Sequence, residues 1–341
     1  MTMTSRTVPS SWPPERLPVI LDTDVGGEPD DAMSLVIAAR ELPELALVVT
    51  SDELSGQRAR FARFLLDRAG RPDVPVVAGQ QLSATPCYLA TGLTPGWVPG
   101  QPGEVTSAVA AACARTGGAA HWIGLGPMSN LAAVLSCEPA LAGKLFVTQL
   151  VGTLDRPQPQ PPSQRPGPGA LPPRNFRLDP RAAQQVLASA RQPRLVSFGT
   201  AFRGAAEVTV TSPVYTSLVG AAEPPWAEVL AAHFRQFFAR YHPAVVPASP
   251  LALSAALGLP FMSFAPVPVT VSATGRIAER RGGDPVLLSG DSDDLAFTRW
   301  LQARLRPVRW AARRPHAGSY SSSAGPPSAP SWNQTVVPAP S

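Results

Sequence analysis

The sequence predicts a doubly wound α/β fold, a mainly parallel sheet with helices on both faces. Short apolar runs of strand length alternate with longer segments whose apolar residues recur at helical spacing. The first unit, Leu17 to Arg40, reads as strand, glycine loop and helix. Its loop gathers Asp22, Asp24, Glu28, Asp30 and Asp31 within ten residues at the carboxyl end of the strand, where open α/β sheets bind their ligands. Such a density of like charge is costly unless a cation or a polar substrate shares it. An aspartate at a helix start also caps free N–H groups, which accounts for Asp30 alone but not for Asp22, Asp24 and Asp31 together.

Taken in order, Leu45–Thr50 is a compact apolar strand. Gly56–Ala69 has helical spacing and is closed by Gly70. Val74–Gly79 supplies a third strand, and a Pro/Gly-rich loop through Trp97 leads to an alanine-rich helix at Ser107–Arg115. His121–Leu125 is strand-like. Gly126-Pro-Met-Ser-Asn130 then turns into a helix through Leu135, with Pro127 in its first turn. Phe146–Val151 is another strand, and Asp179 is placed to cap a helix over Pro180–Ala190. Residues 194–210 read as strand-rich, 226–241 and 250–258 as helical, and Val267–Ser272 as a strand.

At 341 residues the chain is read as one domain over 17–312 with two tails. Residues 1–16, the Ser/Pro/Gly-rich tail 313–341 and the proline-dense loop 156–173 are expected to be disordered or mobile. The net charge of +5 comes from scattered arginines, with Lys144 the one lysine. No basic stripe suggests nucleic-acid binding. Arg58, Arg60 and Arg63 are read as decorating an exposed helix face. Cys87, Cys113 and Cys137 have no paired spacing, so reduced cytoplasmic thiols are expected. No apolar leader or membrane-length stretch occurs, so the expectation is a soluble cytoplasmic protein without membrane partners; self-association into a homo-oligomer stays open.

The stretch Asp22-Thr-Asp24-Val-Gly26-Gly27-Glu28-Pro-Asp30-Asp31-Ala resembles the N-terminal signature of the inosine-uridine preferring nucleoside hydrolases. Asp67–Gly79, Gly126-Pro-Met-Ser-Asn130-Leu-Ala and Asn175-Phe-Arg-Leu-Asp179-Pro180 agree in order and spacing, and the likeness runs over about residues 17–305. The resemblance implies hydrolysis of the N-glycosidic bond of a ribonucleoside with a bound Ca2+ ion, as in purine or pyrimidine salvage. It assigns Asp24 and Asp31 to the metal, Asp24 also to the proton of the attacking water, and the Leu125 carbonyl to the metal. Asp30 and Asn175 fall to the sugar, and Asp22 to orienting the cluster. A hard cation prefers oxygen ligands, and carboxylates stabilise an oxocarbenium-like sugar.

The departures lie where the family has His-Asp-Pro-Leu-Ala and this chain has Ala248-Ser249-Pro250-Leu251-Ala252. Ser249 takes the place of a metal aspartate as a weaker, neutral donor, and the neighbouring histidine is missing. Pro173 replaces an acid near Asn175, and Asp52 stands where an asparagine is expected among the substrate contacts. His242 is a candidate replacement for the lost histidine, Asp52 or Glu28 for the lost ligand, and Trp97, Trp122 or Trp226 for base stacking; His242, Glu28 and the tryptophans also read as packing or surface. A degenerate member that binds a nucleoside without turnover is the alternative reading. A haloacid-dehalogenase-type phosphatase, from Asp22-x-Asp24, Lys144 and Gly290-Asp291-Ser-Asp-Asp294, is a further one.

Overall fold

The computed structural model describes residues 17–84, 87–114, 116–152, 154–155, 174–201, 206–221 and 223–307. Both tails and the loop 156–173 lie outside these residues, so the expectations made for them are not addressed. The first half runs β1 (Val19–Thr23), α1 (Pro29–Glu41), β2 (Leu45–Thr50), α2 (Gln57–Arg68), β3 (Val76–Ala78), α3 (Val105–Ala114), β4 (Ala120–Gly124), α4 (Ser129–Cys137), β5 (Leu145–Val151) and β6 (Leu154–Asp155). The second half begins with α5 (Arg174–Leu178), α6 (Pro180–Ser189), β7 (Arg194–Ser197), α7 (Phe198–Ala201), β8 (Val208–Thr209), α8 (Pro213–Leu218) and α9 (Pro225–Arg240). It ends with β9 (Ala244–Val245), α10 (Ala248–Ala256), β10 (Met262–Val271), β11 (Ile277–Glu279), β12 (Asp284–Ser292) and α11 (Asp294–Leu305).

Ten strands form one sheet in the order β3-β2-β1-β4-β5-β7-β12-β10-β11-β6, while β8 and β9 pair separately. β10 is antiparallel to β12 and β11, and the other pairings in the large sheet are parallel. Strand alternation divides the apolar side chains between two cores. Val19, Leu21 and Val48 meet residues of α1, α2, α9 and α10 on one face; Ile20, Leu47 and Val49 meet residues of α3, α4 and α6 on the other. The mainly parallel, two-faced architecture expected from the sequence is therefore present.

The chain steps from β1 outward to β2 and β3, then returns to place β4 on the other side of β1. That reversal opens a crevice at the carboxyl ends of β1 and β4, the usual ligand position in such sheets. The acidic loop leaves β1 at this point.

Three local expectations are corrected. Asp30 does not cap α1: it lies inside the helix, whose N-cap is Glu28 without a side-chain cap bond, and Pro29 occupies the first turn. Pro127 sits in the turn before α4, which begins at Ser129. Residues 194–210 hold only short strands, because the Ser197 hydroxyl accepts the Gly199 N–H at 3.2 Å and diverts the chain into α7. The cap of Asp179 on the Ala182 N–H is found as expected. Among the described residues no helix is long and apolar enough to cross a membrane.

His233 of α9 ties the second half to the acidic loop by donating Nε2–H to the Gly27 carbonyl at 3.1 Å, with Phe61 edge-on at 5.4 Å. Burial holds this imidazole down to about 4. A folded-state value below the unfolded one means that the unfolded chain binds more protons between pH 6.5 and 4, so this contribution to stability is lost as pH falls through that window. Relative to a His233→Asn variant, which keeps a donor but does not titrate, the parent should lose up to about 1.4 kcal/mol per pH unit there. Parallel denaturant titrations at pH 7, 5.5 and 4.5 would measure the difference.

Candidate active site

Strand parity sets the cluster. Thr23 shares its side of β1 with Val19 and Leu21 and therefore points toward α1, where its hydroxyl donates to Asp31 Oδ2 at 2.5 Å. Asp22 shares its side with Ile20 and points toward α4, where Asn130 Nδ2 donates to Oδ1 at 3.1 Å. Asn130 also donates to the Thr50 carbonyl at 3.0 Å and accepts the Gln80 N–H at 3.3 Å. This crossing point requires Gly79, since a Cβ there would lie 2.1 Å from the Thr50 oxygen and 2.4 Å from the Asn130 oxygen. Gly26, at φ +96°, turns the acidic loop, and a Cβ on it would strike the Tyr88 ring.

The wall opposite comes from distant sequence. The N–H of Ser249, at the start of α10, donates to Asp30 Oδ2 at 3.0 Å, and its hydroxyl donates to Asp31 Oδ1 at 2.5 Å. Asp30 thus caps α10 rather than its own helix. Leu125, at the end of β4, donates its N–H to the Asp22 carbonyl at 2.7 Å, and its own carbonyl accepts Asn175 Nδ2 at 2.6 Å. The next residue, Gly126, lies against Asp24: a Cβ on it would be 3.5 Å from the Asp24 Cβ. Asp22, Asp24, Asp30, Asp31, Leu125, Asn175 and Ser249 therefore meet in one cleft.

Burial makes these acids costly to ionise. It lifts Asp22 to about 8 against the lowering pull of Asn130 and Ser51, and the charges of Asp24 and Asp31 add to the rise. Burial, then the charge of Glu28, lift Asp30 to about 7, and burial with Asp24 and Asp30 raises Asp31 well above the carboxylate range. Asp24 is only half-buried, and among the described residues its carboxylate receives no hydrogen bond. Two carboxylates, the Leu125 carbonyl and the Ser249 hydroxyl make an all-oxygen donor set suited to a hard divalent cation. Among the described residues no three acids, histidines or cysteines converge as a ready ligand group. Ser249 contributes a neutral oxygen where an aspartate would add a charge.

Asp52 is engaged by protein groups. It is fully buried at φ 47°; Oδ1 accepts the Ser83 N–H at 2.9 Å, and Oδ2 is paired with Arg174 and lies 3.8 Å from Arg58. The arginines expected on an exposed face are turned inward. Arg58 is wholly buried and donates to the carbonyls of Asp52, Asp24, Val25 and Cys87, Arg60 to those of Val98 and Pro95, and Arg63 to those of Val74 and Arg71. Carbonyls at the ends of the covering loops need donors, and guanidinium groups reach several at once. Glu28 is exposed beside the cluster.

His242 is exposed and its ring is bound within its own turn at Ala244. Trp122 and Trp226 are core residues, and Trp97 packs edge-on to Phe64 while 71 % exposed. Lys144 precedes β5, at the opposite end of the parallel strands from Asp22 and Asp24, and Asp293 caps α11, which leaves the phosphatase reading without its partners. Cys87, Cys113 and Cys137 are free thiols. Sequence reasoning missed Thr23, Arg58, Arg174 and Tyr241, the last an exposed residue after α9 within electrostatic range of Glu28, Cys87 and Arg174. Parity along β1 was the available signal for Thr23; none marked Arg174.

The sequence profile described as inosine-uridine preferring nucleoside hydrolase matches residues 19–295. Among solved structures, a plant nucleoside hydrolase superposes with TM-score 0.69 at 20 % identity, covering 85 % of this chain and 99 % of that one. The inosine-uridine preferring nucleoside hydrolase of Bacillus anthracis gives 0.68 at 17 %, covering 86 % and 100 %. A type III effector, XopQ, solved with adenosine diphosphate ribose, gives 0.62 at 20 %, covering 86 % and 94 %. No curated protein matches the sequence. At these identities the likeness establishes the fold.

Replacing Arg58 by Met would strip four carbonyls and Asp52 of a buried partner. The expected loss is about 3–5 kcal/mol of unfolding free energy, measured by urea denaturation.

Proposed function

The chain belongs to the inosine-uridine preferring nucleoside hydrolase family, and from that premise we propose that it cleaves the N-glycosidic bond of a ribonucleoside, releasing ribose and free base by attack of water. The observation that supports this most is the gathering of Asp22, Asp24, Asp30, Asp31, Leu125, Asn175 and Ser249 at the crevice between β1 and β4. Asp24, whose carboxylate has no donor of its own among the described residues, takes the proton of the attacking water. Asp30 accepts from ribose hydroxyls with the oxygen that Ser249 leaves free, and the Asn175 amide binds the sugar. Asp22, fixed by Asn130, orients the loop. The clustered negative charge favours the sugar as it becomes oxocarbenium-like.

The proposed cation is calcium, held by Asp24, Asp31, the Leu125 carbonyl and the Ser249 hydroxyl. Bound there it would lower the pKa of a coordinated water. The carbonyl and both carboxylates keep a lone pair beyond their present hydrogen bonds, so the donor set is compatible with weak binding. Cytoplasmic salvage of purine or pyrimidine nucleosides is the proposed setting. Binding without turnover is the second reading; Ser249 in an aspartate's place favours it, and the fold also occurs in an effector solved with adenosine diphosphate ribose.

With calcium present, the parent should release ribose from at least one member of a nucleoside panel, and Asp24→Asn should lower that rate by about 10²–10⁴. A parent that binds a nucleoside but releases no ribose would overturn hydrolysis in favour of binding alone. Ser249→Asp should tighten calcium about tenfold by calorimetry, because it returns a negative ligand that already faces Asp31.

A further inference from the structure

Arg174 takes no part in the chemistry above, yet it lies inside the cleft. It opens α5 immediately before Asn175, whose amide holds the Leu125 carbonyl. One terminal nitrogen pairs with Asp52 Oδ2. Asp52 has a second guanidinium within 3.8 Å, that of Arg58, so it is not short of positive charge. The buried Nε–H of Arg174 has no hydrogen-bond partner among the described residues, while the side chain as a whole is 29 % exposed. A guanidinium with spare donors therefore stands beside an acid cluster in which Asp24 has spare acceptors. The Arg58 guanidinium that lies 3.8 Å from the same Asp52 oxygen also donates to the Asp24 carbonyl, which places Arg174 one guanidinium away from Asp24.

We propose that Arg174 is the resident counter-cation of the acidic cleft: braced on Asp52, it faces Asp24, competes there with the divalent cation, and so sets the metal affinity of the site. The inference rests on the reading that the cleft takes a cation. Two positions then act in the same direction. Serine at 249 removes a negative charge from the ligand set, and arginine at 174 adds a positive one beside it. The cleft is two charges less negative than one with aspartate at 249 and a neutral residue at 174. A fixed charge beside a divalent ion in a partly buried site changes affinity by an order of magnitude or more. The same guanidinium offsets part of the repulsion among Asp24, Asp30 and Asp31 when no metal is bound.

The test uses the full chain, calcium chloride as the titrant in calorimetry, and melting curves in chelator and in calcium. Arg174→Met and Arg174→Gln should bind calcium about tenfold more tightly than the parent, and Arg174→Lys should resemble the parent. Both neutral variants should melt below the parent in chelator and recover in calcium. A residue that merely braces Asp52 would on removal leave calcium binding unchanged or weaker, so either outcome in a folded Arg174→Met or Arg174→Gln protein overturns the proposal. Ser249→Asp separates the two layers of inference. If it binds calcium while the neutral variants gain nothing over the parent, the role of Arg174 fails and the metal reading stands. If no variant binds calcium, both fall.

Discussion

Keeping several carboxylates together in a mostly buried crevice is the constraint on which this structure turns. Asp22, Asp30 and Asp31 are nearly inaccessible, and burial alone pushes each toward its protonated form. The surrounding fold supplies donors one by one: Asn130 to Asp22, Thr23 and Ser249 to Asp31, the backbone of α10 to Asp30. Among the described residues the Asp24 carboxylate accepts no hydrogen bond, while its backbone carbonyl is held by Arg58. The three buried acids are each engaged, which leaves the half-buried Asp24 available for chemistry.

The convergence is a product of topology. Asp22 and Leu125 are brought side by side because β4 pairs with β1 after the chain has built β2 and β3 on the other edge. Asn175 follows the next crossover region, and Ser249 arrives on α10, which packs against α1. β1 and β4 therefore contribute at their carboxyl ends, and α4, α5 and α10 contribute Asn130, Asn175 and Ser249 from their first turns.

Much of this was legible in the sequence. The apolar runs and glycine stops located the parallel strands and most helices, since a strand buried on both faces and an amphipathic helix leave distinct periods. The acid-rich loop and the Gly-Pro-Met-Ser-Asn turn pointed to the crevice, and Ser249 was placed opposite Asp31 through the family pattern. What failed were residues whose role depends on a partner far along the chain. Arg58, Arg60 and Arg63 looked like a solvated face because helical spacing shows which residues share a side, not whether loop carbonyls later cover that side. Nothing near Asp52 in sequence reveals Arg58 and Arg174 closing over it. Asp30, read locally, capped α1, whereas its acceptor serves α10 instead.

The bond from Ser249 to Asp30 spans 219 positions of sequence. During synthesis the acidic loop emerges first and the start of α10 last, separated by roughly 10–40 s at ordinary elongation rates of about 5–20 residues per second. Through that interval Asp30 lacks the donor that Ser249 supplies, and loop-closure entropy delays the contact further. The crevice thus closes only after the start of α10 has been made. A nascent chain stalled before residue 248 would hold β1 to β5 with the charged end of β1 still hydrated.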